Sequence, residues 1–186
     1  MNIKTFYIIM VVILLFSSCN DRTPSGIVLK QNQDKDIEKT DPFIEGNKKI
    51  VTWENEEIDL FIKRYGWNTT NTGTGLRIQI TKEGIGNFPR EGDKVTLKYK
   101  TILLTGDVVY SSKTDGNKVF IVDKSDEIAA LHEAVKLMKK GSKAQVVIPS
   151  HLAYGVAGDG NKISGRVSLA MYLELTDIIS NKENTK

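Results

Sequence analysis

Residues 125–155 read SDEIAALHEAVKLMKKGSKAQVVIPSHLAYG, and the fold of the chain follows from this stretch. Ile128, Leu131, Ala134, Val135 and Met138 recur at the spacing of one helical face, with polar residues between them. Ser125 offers an acceptor to the first free N–H groups, Asp126 and Glu127 stand at the positive end, and Lys136, Lys139 and Lys140 at the negative end. Gly141 can take the left-handed conformation that closes a helix. The pattern predicts a helix opened at Ser125, with one stripe on a core. Ala144, Val146 and Ile148 then alternate up to Pro149, so the helix turns directly into a strand.

Outward from this unit, other segments alternate with the two-residue period of half-buried strands. They are Leu76, Ile78 and Ile80; Val95, Leu97 and Tyr99, with Thr101 and Leu103 continuing the face; and Val167 through Leu175 at odd positions. Val108–Ser112 and Val119–Val122 add two short pieces. An α+β fold accounts for this order: a curled antiparallel sheet of five to six strands wrapped around one central helix. Upstream, Trp53, Ile58, Phe61, Ile62 and Tyr65 share a helical face, with Glu54, Glu56 and Glu57 in the first turn and Gly66 behind the last. This predicts a short amphipathic helix over 51–67, packed on the domain as a lead-in.

The order of pieces carries a resemblance. Gly84-x-Gly86, Pro89-x-x-Gly92-Asp93, Val95 to Tyr99, Gly106 and Ser111-Ser112 precede the helix; Met138, Lys140-Gly141, Ile148-Pro149 and Ala153-Tyr154-Gly155 follow in it and after it. The run from about 75 to 179 resembles FKBP-type peptidyl-prolyl cis-trans isomerases. The resemblance implies an FKBP-like fold and isomerase activity on X-Pro bonds without a cofactor. By the same resemblance Tyr99 is the aromatic wall of the pocket, Tyr154 the tyrosine whose hydroxyl faces the substrate carbonyl, and Ile128 the residue whose backbone N–H donates. Five further pocket positions carry Val109, Tyr110, Leu131, Ile163 and Met171. Of these, Leu131 replaces a frequent tryptophan, Val109 and Met171 replace phenylalanines, and Tyr110 stands where an aspartate is usual. Ser164 stands where proline is frequent. These changes shrink the aromatic surface and predict weaker substrate affinity, with a noncatalytic or weakly catalytic peptide-binding chaperone as the alternative function.

The N-terminal pattern predicts export from the cytoplasm. Residues 1–18 hold one lysine, Lys4, and eleven unbroken apolar residues from Phe6 to Phe16, followed by Ser17-Ser18 and Cys19, the only cysteine. This is a signal-peptide pattern. As a helix the apolar run would be about 16 Å long against a hydrocarbon thickness of ~30 Å, which disfavours a span. Its end resembles the lipobox of bacterial lipoproteins, although Phe16 stands where leucine is commoner. Cys19 would then be lipidated and anchor the chain to a membrane in the cell envelope. Residues 19–50 are rich in Asn, Asp, Lys, Gln and Thr without periodicity, a polar tether, and 180–186 form a polar tail. With the expected lipid anchor, a short leading helix and a single domain, the chain resembles the gliding-motility-associated FKBP-type lipoproteins of Bacteroidota.

Charge and chemistry exclude other classes. The whole chain has 26 Lys and Arg against 23 Asp and Glu, a formal +3 without a basic cluster, which argues against nucleic acid as a partner. Proline-containing polypeptides are the expected partners, and a monomer the expected state. His132 and His151 fall on a predicted helix exterior and in a loop, away from other ligand types, so no metal site is expected. Gly155-x-x-Gly158-x-Gly160 is followed by a strand, whereas a phosphate loop needs the N-H groups of a helix start. An apolar concavity remains, and for one reaction that suffices. Rotation about an X-Pro bond crosses a barrier of ~18–20 kcal/mol because the twisted amide loses resonance, and with it the charge separation that water solvates well. A dry pocket around the prolyl ring favours that less polar state.

Overall fold

The computed structural model describes residues 42–181, without the side chains of Pro42 and Phe43. Cys19, the signal pattern, the tether up to residue 41 and residues 182–186 lie outside the described residues. Helix α1 spans Pro42–Tyr65, followed by strands β1 (Thr70–Asn71), β2 (Arg77–Lys82), β3 (Lys94–Leu103) and β4 (Val108–Ser111). One turn of helix, α2 (Ser112–Asp115), leads to β5 (Lys118–Ile121); α3 (Ala129–Lys136), β6 (Lys143–Ile148) and β7 (Leu169–Ile179) complete the domain. The strands pair antiparallel in the order β1-β2-β6-β7-β3-β4, and β5 joins the first half of β3 on the edge whose second half takes β4.

The sheet has seven strands, against the five to six expected. The expected alternation on the core side holds. Val95, Leu97 and Tyr99 of β3, Val146 and Ile148 of β6, and Leu169, Met171, Leu173 and Leu175 of β7 are buried on the face that meets Leu131, Ala134, Val135 and Met138. Helix α3 is shorter than its sequence pattern suggests. It begins at Ala129 with Ile128 as its cap, and Ser125 instead accepts the Ile121 N–H to close the turn after β5. It ends at Lys136, well before Gly141, whose N–H donates to Leu175 O at the edge of β7.

His132 corrects its expected exterior position. It is buried: Nδ1 accepts the Asp123 N–H at 3.0 Å and Nε2 lies 3.1 Å from Ser125 O. Since Nδ1 accepts, the proton sits on Nε2 and donates to Ser125 O. The ring thus latches the 123–125 turn, in which Asp123 takes a positive φ of 56°, to the helix.

The leading helix departs more from expectation. It starts at Pro42, so residues 42–50 are helical rather than tether, and Glu54 lies in mid-helix rather than in a first turn. Ile58 and Phe61 are fully buried, but Trp53 is 63 % exposed. The reason is a second apolar face on the sheet. Val147, Ala170 and Ile102 stand opposite one another across β6, β7 and β3, all at the parity that points away from α3. Ile58, Phe61 and Trp67 cover this row. Phe61 stacks on Tyr65 with ring centres 4.4 Å apart and meets Trp67 edge-on at 5.2 Å. Glu54 pins the helix further: Oε1 accepts the Ser150 N–H and the Ser168 hydroxyl, each at 2.6 Å. Burial works against that charge, but the bonds from Ser168 and Ser150 outweigh it and hold the carboxyl below its ordinary pKa.

Candidate functional site

The core-side face of β3 and β7 does not end at the packed core. Beyond Leu97 and Leu173, the same parity continues to Tyr99 and Thr101 on β3 and to Met171 and Leu169 on β7, with Thr101 opposite Met171. The cap of α3, Ile128, approaches from one side, and the loop between Pro149 and β7 brings Tyr154, Asp159 and Asn161 from the other. Asp115 and Lys118 stand at the rim, and the open cavity between these residues measures about 420 Å³. A larger concavity of about 510 Å³ lies on the opposite face of the sheet, between Lys98, Lys100, Lys143 and Tyr172. Its lining residues are mostly polar or charged, although Tyr172, Leu173, Ala144 and side-chain stems give it a largely apolar surface, and of the convergent tyrosines only Tyr99 borders it.

Five of the eight residues singled out from the sequence therefore border one cavity: Tyr99, Tyr110, Ile128, Tyr154 and Met171. The other three do not. Leu131 is fully buried and Ile163 nearly so, both within the core, and Val109 packs against that core from a half-buried position. Cys19 lies outside the described residues.

The loop carrying Tyr154 is fixed by close backbone approaches. A Cβ at Gly165 would collide with Val156 O, and one at Gly158 with Ile163 O, so both positions need glycine. Asp159 organises the turn between them. Its Oδ1 accepts the N–H groups of Asn161 and Ile163 at 2.9 and 2.8 Å, and its Oδ2 accepts the Tyr110 hydroxyl at 2.5 Å. Burial raises the Asp159 pKa, but the Tyr110, Ile163 and Asn161 bonds more than offset it, so this carboxyl titrates below its usual range. That same bond to Asp159 raises the Tyr110 phenol. Tyr110 occupies a position where the sequence offers no acid, and the carboxylate arrives across the cavity from the loop instead.

Tyr154 differs from Tyr110 in having no hydrogen-bond partner for its hydroxyl among the described residues. Burial, then the charges of Glu127 and Asp159, push its pKa to about 12. The group is thus a protonated donor at any physiological pH, aimed into the cavity and uncommitted. Burial, with Asp115 and Glu127, also raises the Tyr99 phenol. Lys118 Nζ stands 5.4 Å from the centre of the Tyr99 ring and 2.7 Å from Glu127 Oε2. The arrangement is an apolar floor with tyrosine walls, one free hydroxyl donor and a charged rim. No cluster of His, Cys, Asp and Glu suited to a metal occurs among the described residues.

The sequence reading put Thr101 and Leu169 on the buried faces of Tyr99 and Met171 but did not single them out as site residues. Asp159 had a weaker signal, a lone acid in a glycine-rich loop. Asp115, Lys118 and Asn161 had none, because only the tertiary fold brings them to the rim.

Comparison with known proteins bears on this geometry. Residues 86–176 match the family model described as FKBP-type peptidyl-prolyl cis-trans isomerase. A protein of Neisseria meningitidis serogroup B described as "Probable FKBP-type peptidyl-prolyl cis-trans isomerase FkpA" is 34% identical over 152 residues, covering 81% of this chain and 53% of that protein. A Haemophilus influenzae protein described as "Probable FKBP-type peptidyl-prolyl cis-trans isomerase" is 31% identical over 163 residues, covering 81% of this chain and 67% of its own length. Among solved structures, that of FkpA from Escherichia coli superposes with a TM-score of 0.61 at 30% identity, over 72% of this chain and 62% of the other. The chain spans about half the length of the first curated relatives it matches.

Proposed function

This chain belongs to the FKBP-type peptidyl-prolyl cis-trans isomerase family, and from that premise we propose that it catalyses X-Pro rotation in exported or envelope polypeptides, with the 420 Å³ cavity as its active site. The observation that carries this reading is the unpartnered Tyr154 hydroxyl facing an apolar floor. The prolyl ring lies on Leu169 and Met171 against the Tyr99 wall. There the amide leaves water, which disfavours its polar planar ground state relative to the twisted transition state. The Tyr154 hydroxyl and the Ile128 N–H orient the carbonyls without covalent chemistry, and each ~1.4 kcal/mol of differential stabilisation gives a tenfold rate gain.

A second reading, a peptide-binding chaperone of little catalytic power, draws support from the charged rim of Asp115, Lys118 and Asp159. One experiment separates the two. The chain from residue 20 onward is added at micromolar concentration to a proline-limited refolding reaction and to a proline tetrapeptide assay. Acceleration of both supports the enzyme. Refolding left at its uncatalysed tens to hundreds of seconds, with aggregation nevertheless suppressed, establishes the chaperone.

The proposed setting is the bacterial cell envelope, with Cys19 lipidated and the domain held off the membrane by the polar segment before Pro42. No helix among the described residues is long and apolar enough to cross a membrane. The likeness to gliding-motility-associated lipoproteins supports the same placement. Mass spectrometry of membrane-fraction protein should find a mature chain starting at diacylated Cys19, and a soluble unmodified chain would refute the anchor.

A further inference from the structure

The Ile128 amide, which the proposed mechanism uses as a donor, is already bonded. Its hydrogen goes to Oε1 of Glu127, the side chain immediately before it in sequence, at an N···O distance of 3.2 Å. The other carboxylate oxygen is held by Lys118 Nζ at 2.7 Å. Both side chains are mostly withdrawn from solvent, 15% exposed for Glu127 and 26% for Lys118, so the pair is only partly screened. Lys118 is in turn fixed on β5 at the cavity rim beside the Tyr99 ring. No other acceptor takes the Ile128 N–H among the described residues, and a half-buried amide requires one.

We infer that Glu127 is an internal competitor for the substrate carbonyl: its carboxylate, positioned by Lys118, occupies the Ile128 N–H and must be displaced when an X-Pro peptide enters. This rests on the isomerase reading of the cavity. A carboxylate is a stronger acceptor than a peptide carbonyl, and Glu127 is covalently adjacent, so the competitor is always present. The bond is nevertheless long for a charge-assisted contact, and the carboxylate keeps its Lys118 partner after displacement. The outcome is attenuation of substrate affinity rather than a closed site. Because the carbonyl would hold the Ile128 N–H in both the bound and the twisted state, removing the competitor lowers KM and leaves kcat nearly unchanged.

The test uses the purified chain and proline tetrapeptides. E127A should raise kcat/KM about three- to tenfold through KM, and E127Q by less, since a neutral amide oxygen competes more weakly. The variant K118M/E127M removes both charges together, keeps the packing volume, and should show the same gain if E127A alone fails to fold. In the wild type, the Ile128 amide signal should shift saturably on addition of peptide and lie at a different position in E127A without peptide. Wild-type activity with no gain in E127A or in K118M/E127M overturns the competitor while leaving the isomerase reading intact, as does an Ile128 signal unmoved by a peptide that is turned over. If the wild type and every variant are silent, the isomerase reading itself falls and the competitor with it.

Discussion

Tyr154→Phe isolates the one donor that the cavity leaves free. The substitution removes a single oxygen and keeps the ring, so the packing of Tyr154 against the core margin is conserved. Because its hydroxyl bonds to nothing among the described residues, no intramolecular hydrogen bond is forfeited, and the folding free energy should change by less than about 0.5 kcal/mol. The loss falls on catalysis. A net hydrogen bond to an uncharged acceptor is worth about 1 kcal/mol, which corresponds to roughly a fivefold decrease in kcat/KM. The pH profile gives an independent check. Burial holds the phenol near pKa 12, so the donor persists until pH rises through that value, and no activity step attributable to Tyr154 should occur between pH 6 and about 10. Stopped-flow measurement of tetrapeptide isomerisation, with thermal unfolding as control, reads both effects. A Tyr154→Phe variant of wild-type kcat/KM would show that the hydroxyl does not orient the substrate, and a loss of several kcal/mol in stability would show a structural role instead.

Glu54→Ala should destabilise the domain by about 2–3 kcal/mol in urea unfolding, because it strands the Ser150 N–H and Ser168 hydroxyl that the carboxylate accepts. The Glu54 pKa is lowered in the fold, so its contribution is present above the ordinary carboxylate value of ~4.3 and should fade as pH drops through the lower folded value. Asp159→Asn should give, at neutral pH, the Asn161 and Ile163 amide spectrum that the wild type shows only in acid, since the depressed pKa keeps the loop bonds intact until pH falls below the ordinary carboxylate range. Leu131→Trp should cost about 1–3 kcal/mol of stability without raising activity, since Leu131 is fully enclosed in the core and does not border the cavity.

Much of this architecture was legible because a two-residue and a 3.6-residue period survive in single segments. Val95, Leu97 and Tyr99 announce one face of β3, and the stripe from Leu131 to Met138 announces the helix that covers it. The ends of that helix were not legible. Ser125 has the chemistry of a helix cap, but its hydroxyl is taken by the Ile121 N–H in a turn that the buried His132 ring also holds. Helix-capping propensity lost to a local turn bond, with the His132 ring holding the turn in place. The opposite face of the sheet was visible in principle, because Ile102, Val147 and Ala170 are apolar at the outward parity of three strands. Only the register that sets them side by side turns three scattered residues into a seat for α1.

The site divides along the same line. Tyr99 and Met171 lie on the two long strands, so their direction follows from period, whereas Ile128 caps α3, Asp115 and Lys118 stand at the ends of short elements and Asp159 lies in a loop, so no period encodes their approach to the cavity. This has a chemical consequence. The long strands supply the apolar floor, and the short elements and the loop supply the charges at its rim. The Tyr110–Asp159 bond shows how the two combine. The strand carries the phenol, the loop carries the acid, and their 2.5 Å contact sets a carboxylate on the cavity wall. A carboxylate supplied by the loop depends on Gly158 and Gly165 keeping that loop closed, so the charge at this wall is coupled to loop conformation in a way that an aspartate on β4 would not be.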